Sequence, residues 1–139
     1  MLTKPTAVIA LLLSVTAGRA QVTTVPGTGC ALPSTTAVLG SANLGQTITI
    51  TNPFATQCLL QVAVVIAGPP TSVPWSNCVG SPCVIGVVPT VFALGGLTAS
   101  LSVTIPNDPL LLGVCFDAQS GCLSPACINM DRAVRICPQ

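Results

Sequence analysis

The chain has 139 residues, with four basic and three acidic side chains, no histidine, and a formal net charge of +1. Charge this sparse excludes an electrostatic hold on nucleic acid or on an anionic membrane, since both need clustered Lys and Arg. It also removes the commonest general base, so ordinary acid–base catalysis has few residues to draw on.

Residues 1–20 read as a cleaved secretory signal. Lys4 precedes the apolar run Ala7 to Val15, and the small residues Gly18 and Ala20 mark a cleavage site after Ala20. The run is about half of the roughly 20 apolar residues a membrane span needs. No later stretch is long enough either, so no membrane span is expected in the mature chain. Cleavage removes Lys4 and Arg19, the first of these the only lysine. It leaves Arg132 and Arg135 against Asp108, Asp117 and Asp131. A surface so poor in charge resists self-association weakly.

Residues 21–29 are expected to be a flexible lead-in, and 30–139 a single β-sandwich domain. Thr35 to Leu39 is a candidate first strand. Gln46 to Thr51 alternates, with Ile48 and Ile50 on one side. Leu59 to Ile66 places Leu60, Val62, Val64 and Ile66 on one face, and Gly68-Pro69-Pro70 stops it. Cys83 to Leu94 is apolar, but Pro89 should split it or confine it to an edge. Leu97 to Ile105 is the cleanest strand. Leu97, Ala99, Leu101, Val103 and Ile105 form an apolar face, and Thr98, Ser100, Ser102 and Thr104 a hydroxyl face. Leu111 to Gln119 is expected to turn Leu112, Val114 and Phe116 inward and Cys115 and Asp117 outward. In Ile128 to Ile136 the apolar face is Ile128, Met130, Val134 and Ile136. Arg132 interrupts it, which suggests a twist or bulge near Met130. Thirteen prolines and twelve glycines punctuate the chain and leave no case for a long helix. The fold class is therefore all-β: an antiparallel β-sandwich of about seven strands, disulfide-stapled.

Eight cysteines follow the signal: Cys30, Cys58, Cys78, Cys83, Cys115, Cys122, Cys127 and Cys137. An even number in an oxidising compartment predicts disulfides rather than metal, and zinc sites lack their usual histidine here. Cys78/Cys83 and Cys122/Cys127 sit in short Gly/Pro/Ser loops, which suggests local bridges. Cys30, Cys58, Cys115 and Cys137 would then tie distant segments.

The stretch Leu101 to Gln119, LSVTIPNDPLLLGVCFDAQ, carries an alternating strand. Ile105-Pro-Asn-Asp-Pro109, Leu111-Leu-Gly113, Phe116 and Ala118-Gln119 follow it. It resembles a recurring segment of small secreted β domains of unknown function found in planctomycete-type bacteria. The likeness extends back through the Gly68-Pro69-Pro70 turn and forward to Arg132-Ala-Val-Arg135. It implies an extracellular β-sandwich and brings no activity or site residues. The cysteine density here is higher than in such domains. The adjacent Cys-Cys pairs of lipid-transfer proteins and hydrophobins are missing.

The chemistry is correspondingly thin. Asp108 lies in a Pro-Asn-Asp-Pro turn, which an aspartate side chain commonly supports. Asp117 and Asp131 are expected on neighbouring strands, where Arg132 or Arg135 pairs with one of them. A serine or cysteine nucleophile has no histidine to activate it. Asn107 and Asp108 supply too few oxygens for calcium. Among the aromatic residues Phe54, Trp75, Phe92 and Phe116, Trp75 stands out, just before Cys78. Its indole is expected to fold over the sandwich edge, with an exposed partner contact as the other reading.

The expectation is a secreted, non-enzymatic module of structural or binding type, with no cofactor, acting at the cell surface, in the periplasm or beyond. Its partner is an unidentified protein or surface. A self-associating surface coat is the alternative, and a small hydrolase using the aspartates the third reading.

Overall fold

A computed structural model describes residues 21–30, 34–52, 62–76, 80, 82–96, 99–124 and 128–139. The expected signal, Phe54, Leu97, and Cys58, Cys78 and Cys127 lie outside the described residues.

The described residues form twelve strands and a single 3-10 turn. The strands are β1 (Gln21–Thr24), β2 (Gly29–Cys30), β3 (Ala37–Leu39), β4 (Thr47–Thr51), β5 (Val62–Gly68) and β6 (Pro70–Ser76). They continue with β7 (Pro82–Val87), β8 (Val91–Gly95), β9 (Ser100–Thr104), β10 (Phe116–Leu123), β11 (Ile128–Met130) and β12 (Val134–Cys137). The 3-10 turn is Pro109–Leu111. Every strand pair is antiparallel, as expected; the isolated Thr35↔Arg132 bridge is parallel.

The count exceeds seven because two expected strands are divided and three further strands, β1, β2 and β6, form where none was expected. Pro89 divides β7 from β8, as its missing N–H requires. The Ile128 to Ile136 run divides at Asp131-Arg132-Ala133 into β11 and β12. Residues 21–29 are not a loose lead-in. Gln21–Thr24 pairs along its length with β12, and Gly29–Cys30 pairs with β7.

A six-stranded sheet, in the order β1-β12-β10-β5-β8 with β11 beside β10, forms the centre. The sheet β3-β4-β9 covers one face and the sheet β2-β7-β6 the other. Two cores result. The first holds Ile48 and Ile50 from β4, Ala63, Val65 and Ala67 from β5, and Val134 and Ile136 from β12. The second holds Val64, Ile66, Val87 and Met130, with Cys30 and Cys83.

β5 serves both cores, because a strand turns alternate side chains to opposite faces. Six of its seven residues are buried. The face assigned from sequence, Val64 and Ile66, lines the second core, and Val62 at its end is exposed. The opposite face, Ala63, Val65 and Ala67, packs the first core. Glycine permits two tight crossings here. A Cβ on Gly68 would lie 2.1 Å from the Val88 carbonyl oxygen, and one on Gly121 would lie 2.2 Å from that of Asn129.

Two disulfides join residues that lie opposite one another on paired strands. Cys30–Cys83 links β2 to β7, with Cα atoms 4.1 Å apart. Cys115–Cys137 continues the Phe116↔Ile136 register, with Cα atoms 4.2 Å apart. The expected Cys78–Cys83 loop bridge is therefore wrong. Pairing of β2 with β7 sets Cys30 beside Cys83, while across the β6–β7 ladder Cys83 faces Trp75. Cys122 is also disulfide-bonded. No described cysteine is free.

Candidate functional site: buried aspartates and an apolar recess

Each of the three aspartates has a structural partner. Asp108 caps the 3-10 turn, its Oδ1 accepting from the Leu110 backbone N–H at 2.9 Å. This is the turn role its sequence context predicts.

Asp117 is 1% exposed, against the expectation that it points outward. The 3-10 turn and Gly113, at φ +77°, interrupt the alternation before β10 begins. Leu112 and Val114, expected inside, are consequently exposed, and Phe116 packs against the first core. Asp117 faces Arg135 across the β10–β12 ladder. Arg135 Nε donates to Oδ1 at 2.8 Å and Nη2 to Oδ2 at 2.9 Å, a bidentate pair. The hydrogen bond and charge of Asp117 raise the guanidinium pKa above its ordinary value. The expected Asp–Arg pairing is thus present, with Arg135 as the partner.

Asp131 accepts from both Ser34 and Ser120. The Ser120 hydroxyl donates its one proton to Asp131 Oδ2 at 2.6 Å. The contact of 3.2 Å between the Thr36 and Ser120 hydroxyls therefore has Thr36 as donor. Thr36 Oγ1 in turn accepts from the Ser120 backbone N–H at 2.8 Å. All four residues are buried, and the cluster secures the segment before β3 to the break between β11 and β12. This break is the physical form of the irregularity that Arg132 signalled.

Gln119 completes the buried polar set, and no sequence signal marks it. Its side chain is fully buried and joins the central sheet to β7. Oε1 accepts from the Gly86 N–H at 2.9 Å, and Nε2 donates to the Val84 and Asp131 carbonyls at 3.2 and 2.8 Å. One side chain thereby bonds three backbone groups, two of these bonds being fully buried.

Two accessible concavities are apolar, while a third of about 640 Å³ is of mixed character, with Thr24, Thr28 and Arg132 beside Pro26, Pro82 and Val84. A recess of about 430 Å³ opens between the central sheet and β9. Gly68-Pro69-Pro70 and Val91 line it on one side, Val103, Ile105 and Pro106 on another, and Leu111, Val114 and Phe116 on a third. Thr90 and Thr104 bring its side-chain hydroxyls. Thr90 donates to the Ala67 carbonyl at 3.0 Å, and Thr104 lies 2.9 Å from the Thr47 hydroxyl. Leu110 and Leu112, beside the recess in sequence, are 84% and 54% exposed. A second apolar cavity of about 400 Å³ lies against the second core, between β5 and the β6–β7 hairpin. The recesses named here contain no aspartate.

Sequence reading missed the first recess. Its walls come from the segment Leu101 to Gln119 and, far away in sequence, from the Gly68-Pro69-Pro70 turn. Trp75, the single exposed contact singled out from sequence, is 45% exposed on β6 rather than folded away. It forms a shallow hollow with Pro74 and Ser76, apart from the recess. Among the described residues no three Cys, Asp, Glu or His side chains gather as metal ligands. No helix among them is long and apolar enough to cross a membrane.

Fold and site together define a disulfide-stapled, antiparallel all-β protein with a hydrocarbon-lined recess. The chain matches no protein-family model, no curated protein and no solved structure.

Proposed function

We propose that the chain is a secreted, non-enzymatic β module that binds an uncharged aliphatic group in the recess beside Phe116. The observation that carries this reading is the recess lining. Its volume of about 430 Å³ suits a small ligand. Its walls are aliphatic and aromatic, and both lining hydroxyls already have hydrogen-bond partners. A charged ligand would lose its hydration there without gaining a counter-ion. A hydrocarbon chain would lose nothing polar and would gain from leaving water, about 0.8 kcal/mol per buried methylene.

A non-enzymatic role fits the state of the aspartates. Asp108 holds a turn, Asp117 an ion pair, and Asp131 a hydroxyl cluster. A hydrolase would need two of them facing a common cleft with a place for water. Secretion is supported by the layout of residues 1–20 and by disulfides, which persist in oxidising compartments.

The test is binding of the neutral dye Nile red, displaced by 1-decanol, to the disulfide-bonded protein. Saturable one-to-one binding is expected. Val114→Trp, which fills the recess mouth from an exposed position, should weaken it at least about tenfold. Trp75→Ala should leave it unchanged. Non-saturable uptake, or loss on Trp75→Ala with Val114→Trp unaffected, would refute the proposal.

A further inference from the structure

The edges of the three sheets are not equally protected. An exposed edge presents unpaired N–H and C=O groups, and proteins usually blunt it with proline, charge, a bulge or brevity. β6 carries Pro70 and Pro74 and a register shift between Pro70 and Val73. β2 and β3 are two and three residues long. β1 reads Gln-Val-Thr-Thr, and the outer face of β9 carries hydroxyls. β8 reads Val91-Phe-Ala-Leu-Gly95, with no proline, no charge and no register shift along its five pairs with β5. Phe92 is 64% exposed and Leu94 55%. Among the described residues no backbone hydrogen bond reaches the outer side of this strand.

We infer that β8 is a homodimerisation edge, pairing antiparallel with β8 of a second copy about a two-fold axis at Ala93. The order of residues selects a second copy as the occupant. With Ala93 opposite its own counterpart, Phe92 falls opposite Leu94 of the other copy, and Leu94 opposite its Phe92. These two apolar cross-strand pairs share one face of the joined sheet. On the other face Val91 meets Gly95, so the larger side chain lies against the smallest. A single strand thus supplies both halves of a self-complementary contact, as two-fold symmetry demands. Sparse charge removes the usual repulsion between copies. The inference does not rest on the recess: its apolar pairs, Phe92 and Leu94, do not line it, although Val91 at the end of β8 borders both.

Sedimentation equilibrium of the disulfide-bonded protein tests the pairing. A reversible monomer–dimer equilibrium is expected, and it should not weaken in high salt, because no ion pair holds it. Phe92→Lys and Leu94→Lys should each weaken dimerisation at least about tenfold, and the equally exposed Leu112→Lys should not. Ala93→Cys should form a covalent dimer on mild oxidation, whereas Phe92→Cys should not. A protein that stays monomeric throughout would overturn the inference. Equal weakening by all three lysine variants, or crosslinking at Phe92→Cys but not at Ala93→Cys, would also overturn it.

Discussion

Asp117 and Gln119 illustrate how buried polar groups are used in a chain with few of them. Both lie in the interior of β10, and each is matched to a specific partner set. Replacing Gln119 by Leu would remove its buried bonds to the Gly86 N–H and the Asp131 carbonyl, and the part-buried one to Val84, at about 1–3 kcal/mol for each group that water cannot reach. Gln119→Leu should therefore lower unfolding free energy by about 3 kcal/mol in a urea titration. Gln119→Glu should cost more, because a carboxylate would face the Val84 and Asp131 carbonyls. Arg135→Leu would strand the Asp117 carboxylate. The Arg135 side chain is 41% exposed, so water already weakens the pair, and we expect a loss of about 2 kcal/mol rather than the full cost of breaking a buried one. Asp117→Leu combined with Arg135→Leu should recover most of that loss in the same titration. The sequence made the Asp–Arg pair legible but not the burial of Asp117. Alternation put Asp117 on the face opposite Phe116, as observed, but that second face of β10 is covered by the β2-β7-β6 sheet rather than open to water. Only Leu112 and Val114, before β10, were misplaced by carrying alternation through the turn at Pro109 and Gly113.

At the level of elements, legibility followed the number of buried faces. β9 has one apolar and one hydroxyl face, so alternation revealed both its existence and its orientation. β5 is buried on both faces, so its uniform apolar sequence marked a strand but could not say which core each side chain enters. Cysteine spacing was a poor guide, since Cys30 and Cys83 meet through strand pairing across 53 residues. Loop-closure entropy assigns that bridge about 4 kcal/mol and Cys115–Cys137, separated by 22 residues, about 3 kcal/mol. The paired Cys→Ala variants should lose stability in that order by thermal unfolding. Gly121→Ala should destabilise through crowding at the β10–β11 crossing by about 1–3 kcal/mol, because its Cβ would meet the Asn129 carbonyl and the Met130 sulfur.

Across the described residues, buried polar side chains tie the three sheets together, and the recess beside Phe116 is apolar. Of these contacts the sequence foresaw the Asp108 turn and an Asp–Arg pair, but not the Gln119 bonds or the hydroxyl cluster at Asp131. The recess was not legible, because it forms where β5, β8, β9 and the 3-10 turn converge from distant parts of the sequence. The central claim is that an uncharged aliphatic ligand occupies this hollow. The most direct measurement is an NMR titration of the disulfide-bonded protein with 1-decanol, following backbone amide and methyl shifts. Saturable shifts concentrated at Thr90, Val91, Val103 and Phe116 are predicted. Shifts centred on Trp75 and Val73, or no saturable shift at the recess, would contradict the account.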